Sequence, residues 1–230
     1  MAPSDSAGDD FRMRVVTESI RLFADSGYES TTVEQIASAA GISRRTFFRQ
    51  FGSKEDVIFA DHETLLHQVE AQLDADSGDP WVAVCESAEL VFVHFLAIRD
   101  LAIRRLRVVQ QVPALREREL VTTYRYQRLF EDYLRRVRPD ESRVRIVAYA
   151  AAITGAHNYL LRSMIRGDKQ ATLERLRAEL SRIRTALSAV AAVGELPAVA
   201  VVTYPPGTPA EEVGRLVGEQ LRAEQRKQGH

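Results

Sequence analysis

Apolar residues recur at three- and four-residue intervals from Phe11 almost to residue 192, and no run of strict alternation longer than a few residues occurs before Pro197. Side chains spaced in this way fall on one face of a helix, whereas a half-buried strand needs a period of two. The pattern predicts an all-α fold. Proline use agrees: none lies between Phe11 and Asp79, and Pro80, Pro113 and Pro139 each precede a long periodic segment, so all three read as helix starts. At 230 residues, 45% hydrophobic and 27% charged, the chain can bury a core and is too apolar for wholesale disorder.

Cys85 is the only cysteine, which excludes an intrachain disulfide, and no Cys/His cluster offers a zinc site. A reducing, cytoplasmic setting is expected. The apolar stretches at 90–98 and 147–156 are shorter than the roughly 18 to 20 residues that span a bilayer, so no membrane association is expected. The opening residues, MAPSDSAGDD, lack the basic and apolar regions of a signal peptide, and 1–10 read as a mobile tail.

Residues 11–60 read as three helices. Val16, Ile20 and Phe23 make the first apolar stripe, closed by Gly27 as a left-handed cap. Thr31-Thr32-Val33-Glu34 has the spacing of a capping box, with Thr31 as cap and Glu34 reaching back, ahead of Val33, Ile36, Ala37 and Ala40. Gly41-Ile42 gives a turn, Ser43 caps again, and Arg44 to Phe51 form a third helix with Phe47 and Phe51 inward. Two short helices about a glycine turn make a helix-turn-helix.

Charge gives that shape a function. The 31 Lys+Arg nearly cancel the 32 Asp+Glu, leaving a net charge of −1, which excludes binding nucleic acid by bulk positive charge. Between Gly41 and Lys54, however, stand Arg44, Arg45, Arg49 and Lys54, with no acid among them. Arginine at the start of a recognition helix can grip two acceptors on a guanine edge in the major groove, and hydroxyls or lysine at helix starts can hold phosphates.

The run from Gly27-Tyr28 through Thr31-Thr32-Val33, Ile36-Ala37, Ala40-Gly41-Ile42-Ser43, Thr46-Phe47-Phe48 and Phe51 to Ser53-Lys54-Glu55 resembles the DNA-binding signature of the TetR family of transcriptional regulators. The resemblance covers residues 11 to about 60. It implies that Thr32, Phe48, Arg49 and Lys54 touch backbone or base edges, and that Ser43, Arg44, Arg45 and Thr46 read bases. It also implies a double-stranded operator with an inverted repeat, bound by a homodimer and released by a small-molecule effector. Phe48 departs from the family's usual tyrosine; without a hydroxyl, it suits a thymine methyl or packing better than a phosphate.

Residues 61–192 read as a larger helical domain for ligand binding and dimerisation. A fourth helix is expected from Ser53 to about Leu73, a fifth from Pro80, another from Pro113 to about Arg138, and one from Asp140 to Arg166. The last has a small-residue side of Ala148, Ala151, Ala152 and Gly155, which lets a partner helix approach closely. Leu173, Leu176, Leu180, Ile183, Leu187 and Val190 then follow at gaps of three and four, a seam that can pack within one chain or against another. The family resemblance favours an interface through 140–166 and 168–192. Phe92, Phe95, Tyr124, Tyr149, His157 and Asn158 are expected to line a pocket for a mostly apolar effector, with the arginines at 99–107 as a candidate site for an anionic head group or simply a solvated face.

No nucleophile-base spacing, phosphate loop or metal motif is visible, and His62, His67, His94, His157 and His230 are scattered. Neither enzyme activity nor a cofactor or metal is expected. Residues 193–230 carry a β-prone run around Val199 to Thr203 and a further capping box at Thr208, and form an extension that the resemblance does not explain. The rival to a ligand-responsive repressor is a structural or adaptor protein that uses the same motif without sensing anything; a cavity in the long-helix domain distinguishes them.

Overall fold

The computed structural model describes residues 3–189. The expectations for 193–230 and for Val190 lie outside the described residues. The described part is helical throughout, in the order α1 (Pro3–Ser26), α2 (Val33–Ala39), α3 (Arg44–Phe51), α4 (Lys54–Ile58), α5 (Ala60–Ala75), α6 (Pro80–Ala97), α7 (Arg99–Gln111), α8 (Pro113–Val137), α9 (Arg143–Ile165) and α10 (Leu173–Ala189). Helix α1 begins at Pro3, so residues 3–10, expected as a tail, belong to its first turns.

Two apolar cores organise these helices. The first joins Val16, Ile20 and Phe23 of α1 to Ile36 of α2, Phe47 and Phe51 of α3, and Val57 and Ile58 of α4. It also takes Val108 and Val109 from α7 and Leu115 from α8, so the N-terminal core is completed by residues far along the chain. Burying a side chain such as Val108 contributes about 1.5–3 kcal/mol, and α7 packs chiefly on α1. The second core lies among α5, α6, α8, α9 and α10.

The expected fourth helix is two. Val57 through Asp61 are all buried, and five consecutive residues cannot share one face of a straight helix. The chain therefore breaks at Phe59 (φ −110°, ψ 11°), which lets Val57 and Ile58 face the first core while Leu65, Val69 and Leu73 face the second. A second break at Ile98 separates α6 from α7.

Pro80 and Pro113 open their helices as expected, but Pro139 does not. The Glu141 amide donates to the Arg138 carbonyl at 3.1 Å, which makes 138–141 a tight turn with proline at its second position, and α9 starts only at Arg143. Helix α6 has the length and apolar composition of a membrane span, yet its Val84, Ala88, Phe92 and Phe95 are buried in the second core.

The leucine seam of α10 faces its own chain. Leu176 is fully buried and Leu180 is 1% exposed, both in the second core, with Leu173, Ile183 and Leu187 packed against it. Leu176 and Leu180 thus take the first of the two placements that the sequence left open, packing within one chain. An exposed apolar surface lies on α9, where Ala148, Ala151 and Gly155 are open between Val144 (78% exposed) and Tyr159 (72% exposed).

Candidate nucleic-acid interface and internal cavity

The helix-turn-helix is held by local hydrogen bonds. Thr32, not Thr31, caps α2: its hydroxyl accepts from the Gln35 amide at 3.2 Å while the Gln35 side chain accepts from the Thr32 amide at 2.8 Å. Thr31 is buried instead, its hydroxyl donating to the Gly27 carbonyl at 2.8 Å. Gly41 turns the chain at φ 68°, a conformation that favours glycine, and the Ile42 amide reaches the Ala37 carbonyl at 2.9 Å. Ser43 caps α3 by accepting from the Thr46 amide at 3.0 Å, and the two hydroxyls lie 2.9 Å apart.

With Phe47 and Phe51 inward, α3 presents Arg44, Arg45, Phe48 and Arg49 to solvent and carries no acid. Arg45 and Arg49 have no ion-pair partner among the described residues. Arg44 pairs with Glu34 of α2 at 2.9 Å and its guanidinium lies 5.4 Å from the Phe48 ring centroid. Phe48, 41% exposed, rests edge-on against Phe47, a place for an apolar contact at the surface.

Lys54 is half-buried at the start of α4. Its ammonium donates to the carbonyls of Tyr28 at 2.9 Å and Thr31 at 3.2 Å and sits 4.1 Å from the Tyr28 ring centroid. Three contacts tie the start of α4 to the loop after α1, so the geometry gives Lys54 a structural task where a phosphate contact was expected.

Inside the long helices lies a cavity of about 90 Å3. Phe59, Phe95, Tyr126 and Phe130 supply aromatic walls, and Leu106, Val109, Leu161 and Ile165 aliphatic ones. Of the six residues expected there, Phe95, His157 and Asn158 line it. Phe92 and Tyr149 are buried elsewhere in the core, the Tyr149 hydroxyl donating to the Trp81 carbonyl at 2.6 Å, and Tyr124 is on the surface.

The arginines at 99–107 separate on folding. Arg104 and Arg107 are exposed and Arg99 reaches the Met164 carbonyl, but Arg105, 6% exposed, lines the cavity and donates to Asp61 Oδ2 at 2.7 Å. Burial by itself would raise the Asp61 carboxyl; the charge of the hydrogen-bonded Arg105, with His94 Nε2 3.6 Å away, outweighs it and holds Asp61 well below the usual carboxylate range. Burial pushes His62 down to about 4, and its Nδ1 lies 3.1 Å from the Tyr126 hydroxyl. Burial likewise pushes His157 down to about 4, against the opposing hydrogen bond with Asn158. Arg105 was legible in principle: with Ala102, Leu106 and Val109 it forms an i, i+3, i+4, i+7 set, and an arginine on such a face must find a buried partner.

Comparison with known proteins bears on the first core. Residues 15–60 match the family of bacterial regulatory proteins, tetR family. The match covers the helix-turn-helix and its immediate flanks, about a fifth of the chain. Among relatives, MftR of Mycobacterium tuberculosis is 39% identical over 98 residues, 42% of this chain and 50% of MftR. TcmR of Streptomyces glaucescens is 54% identical over 46 residues, 20% of each protein. The chain thus spans half or less of the length of these curated relatives. Among solved structures, FadR from Bacillus subtilis, in complex with stearoyl-CoA, has a TM-score of 0.54 at 16% identity over 75% of this chain and 97% of FadR, a likeness of fold.

Proposed function

We propose that this protein is a TetR-family regulator, a dimeric repressor that binds an inverted-repeat operator through α2 and α3 and leaves it when a small molecule fills the cavity. The observation that carries the reading is a shared wall: Phe59 and Val109 line the cavity and also belong to the core that seats the recognition helix. A ligand that moves either residue acts directly on the support of α3. The α9 face of Ala148, Ala151 and Gly155 supplies a surface on which two copies can approach closely about a two-fold axis.

Release requires the ligand to prefer the arrangement whose recognition helices are wrongly spaced. A hundredfold loss of operator affinity needs about 2.7 kcal/mol of such preference, within the ordinary range of coupling between sites. The non-sensing alternative has no use for a cavity with buried, unpartnered polar groups. The test is fluorescence anisotropy of a labelled operator titrated with a broad metabolite panel: the reading expects at least one compound to release DNA saturably, and Phe59→Trp, which fills the cavity, to blunt that response. A panel without any releasing compound would favour the non-sensing alternative.

A further inference from the structure

The cavity's polar groups are few and specific. On the α7 wall, Arg105 uses Nη2 on Asp61, and its buried Nε and Nη1 have no partner among the described residues. On the α9 wall, Thr154 Oγ1 and His157 Nε2 are also buried without partners; these residues are 5% and 7% exposed and lie one turn apart on the helix. Leaving such groups unmet costs about 1–3 kcal/mol each, so a ligand that meets them gains what an apolar filler cannot.

The direction of each bond is defined. The Arg105 nitrogens only donate and therefore call for an acceptor. His157 Nδ1 lies 3.2 Å from Asn158 Oδ1, an oxygen that only accepts, so the ring proton sits on Nδ1 and Nε2 is left as an acceptor. A hydroxyl satisfies this wall completely, donating to His157 Nε2 while accepting from Thr154 Oγ1.

Charge decides what the acceptor at Arg105 can be. Arg105 is already neutralised by Asp61, and the other charges on the cavity wall, Arg162 and Glu119, pair with each other at 2.9 Å. A carboxylate or phosphate placed here would be a buried charge without a counter-charge, which is strongly unfavourable. A carbonyl oxygen would accept from Arg105 with no such penalty.

We infer that the cavity takes an uncharged, largely aromatic molecule carrying a carbonyl-type acceptor for Arg105 and a hydroxyl for Thr154 and His157. This rests on the ligand-responsive reading above and specifies its chemistry. Flat rings suit the walls made by Phe59, Phe95, Tyr126 and Phe130, and the hydroxyl and carbonyl fix the orientation.

The test is calorimetry on the full-length protein with four single-ring benzenes: one with an acetyl group and a hydroxyl at the opposite end of the ring, one with the acetyl alone, one with the hydroxyl and a carboxylate in place of the acetyl, and one with only an ethyl group. The hydroxy-ketone should bind at least about tenfold tighter than each of the others. His157→Phe should abolish the advantage of the hydroxyl and leave that of the acetyl. The paired variant Arg105→Met with Asp61→Leu, which strands no charge, should do the reverse. Cooperative thermal melting of both variants certifies their folds. Tightest binding of the carboxylate, or equal binding of the ethyl compound, overturns the inference while keeping the cavity as a ligand site. Failure of all four to bind overturns it too, while the operator-release panel separately decides whether the protein senses anything.

Discussion

Arg105 Nη2 on α7 lies 2.7 Å from Asp61 Oδ2 on α5, with both side chains buried. One turn further along α7, Val108 and Val109 pack in the N-terminal core. The pair thus anchors the helix that the cavity and the N-terminal core have in common. Removing one partner leaves a buried charge uncompensated, at a cost of about 3–5 kcal/mol, whereas replacing both with apolar residues can be nearly neutral. Asp61→Asn should lower the urea midpoint sharply, and Arg105→Met combined with Asp61→Leu should restore most of it. Equal midpoints for the wild type and Asp61→Asn would show that the pair does not hold the fold.

Stability should also fall with pH for a traceable reason. His62 and His157 titrate near 4 in the folded chain against 6.5 for an unperturbed histidine, so the unfolded chain takes up protons first as pH drops. Their contribution is complete above about pH 7 and is lost progressively from 6.5 towards 4. The depressed Asp61 acts in the same direction but only below its unfolded value, near 3.8, outside most of that window. Denaturant midpoints measured between pH 7.5 and 5 should decline, and the decline should shrink in His157→Gln. A flat profile would place both imidazoles in water.

Lys54 looks from sequence like one more cation of the DNA surface, because charge in a sequence carries no direction. Its contacts with the Tyr28 and Thr31 carbonyls predict a different phenotype. Lys54→Met should destabilise the fold by about 1–3 kcal/mol and change the salt dependence of DNA binding by much less than one phosphate contact. An unchanged melting temperature with a salt slope reduced by about one would return Lys54 to the phosphate backbone.

Helix identity and the basic exposed face of α3 were legible because periodicity, glycine turns and caps are local properties. Those properties fixed α2, α3 and the basic run through Arg44, Arg45 and Arg49. What one strand of sequence does not encode is which face meets which partner. The α10 leucines read equally well as an inner or outer seam, and Leu176 and Leu180 prove to be inner. The cavity residues were half legible for the same reason: Phe95 and His157 lie on faces with obvious apolar character, whereas Arg105 and Thr154 gain their meaning only from neighbours far along the chain.

Of the two segments expected at the proposed subunit contact, α9 is the one with an open small-residue face, at Ala148, Ala151 and Gly155. A Cβ at Gly155 meets open space, so a side chain there is tolerated within one chain. Ala151→Arg with Gly155→Arg should convert the dimer to a monomer in sedimentation while leaving the far-UV circular dichroism unchanged. Leu180→Glu should instead unfold the chain by placing a charge in its core. A dimer that survives the α9 pair would mean that the copies meet through another surface.

The central claim is that α3 reads a specific DNA sequence in two symmetric copies, and selection of bound fragments from a random double-stranded pool tests it most directly. Sequencing should reveal an enriched inverted repeat with half-sites about 10–10.5 base pairs apart, or a multiple of that spacing. Arg45→Ala should relax preference at one position per half-site, at a cost of about 1–3 kcal/mol there. Fragments enriched for no sequence, bound with a steep salt dependence that Arg45→Ala leaves unaltered in specificity, would contradict the account.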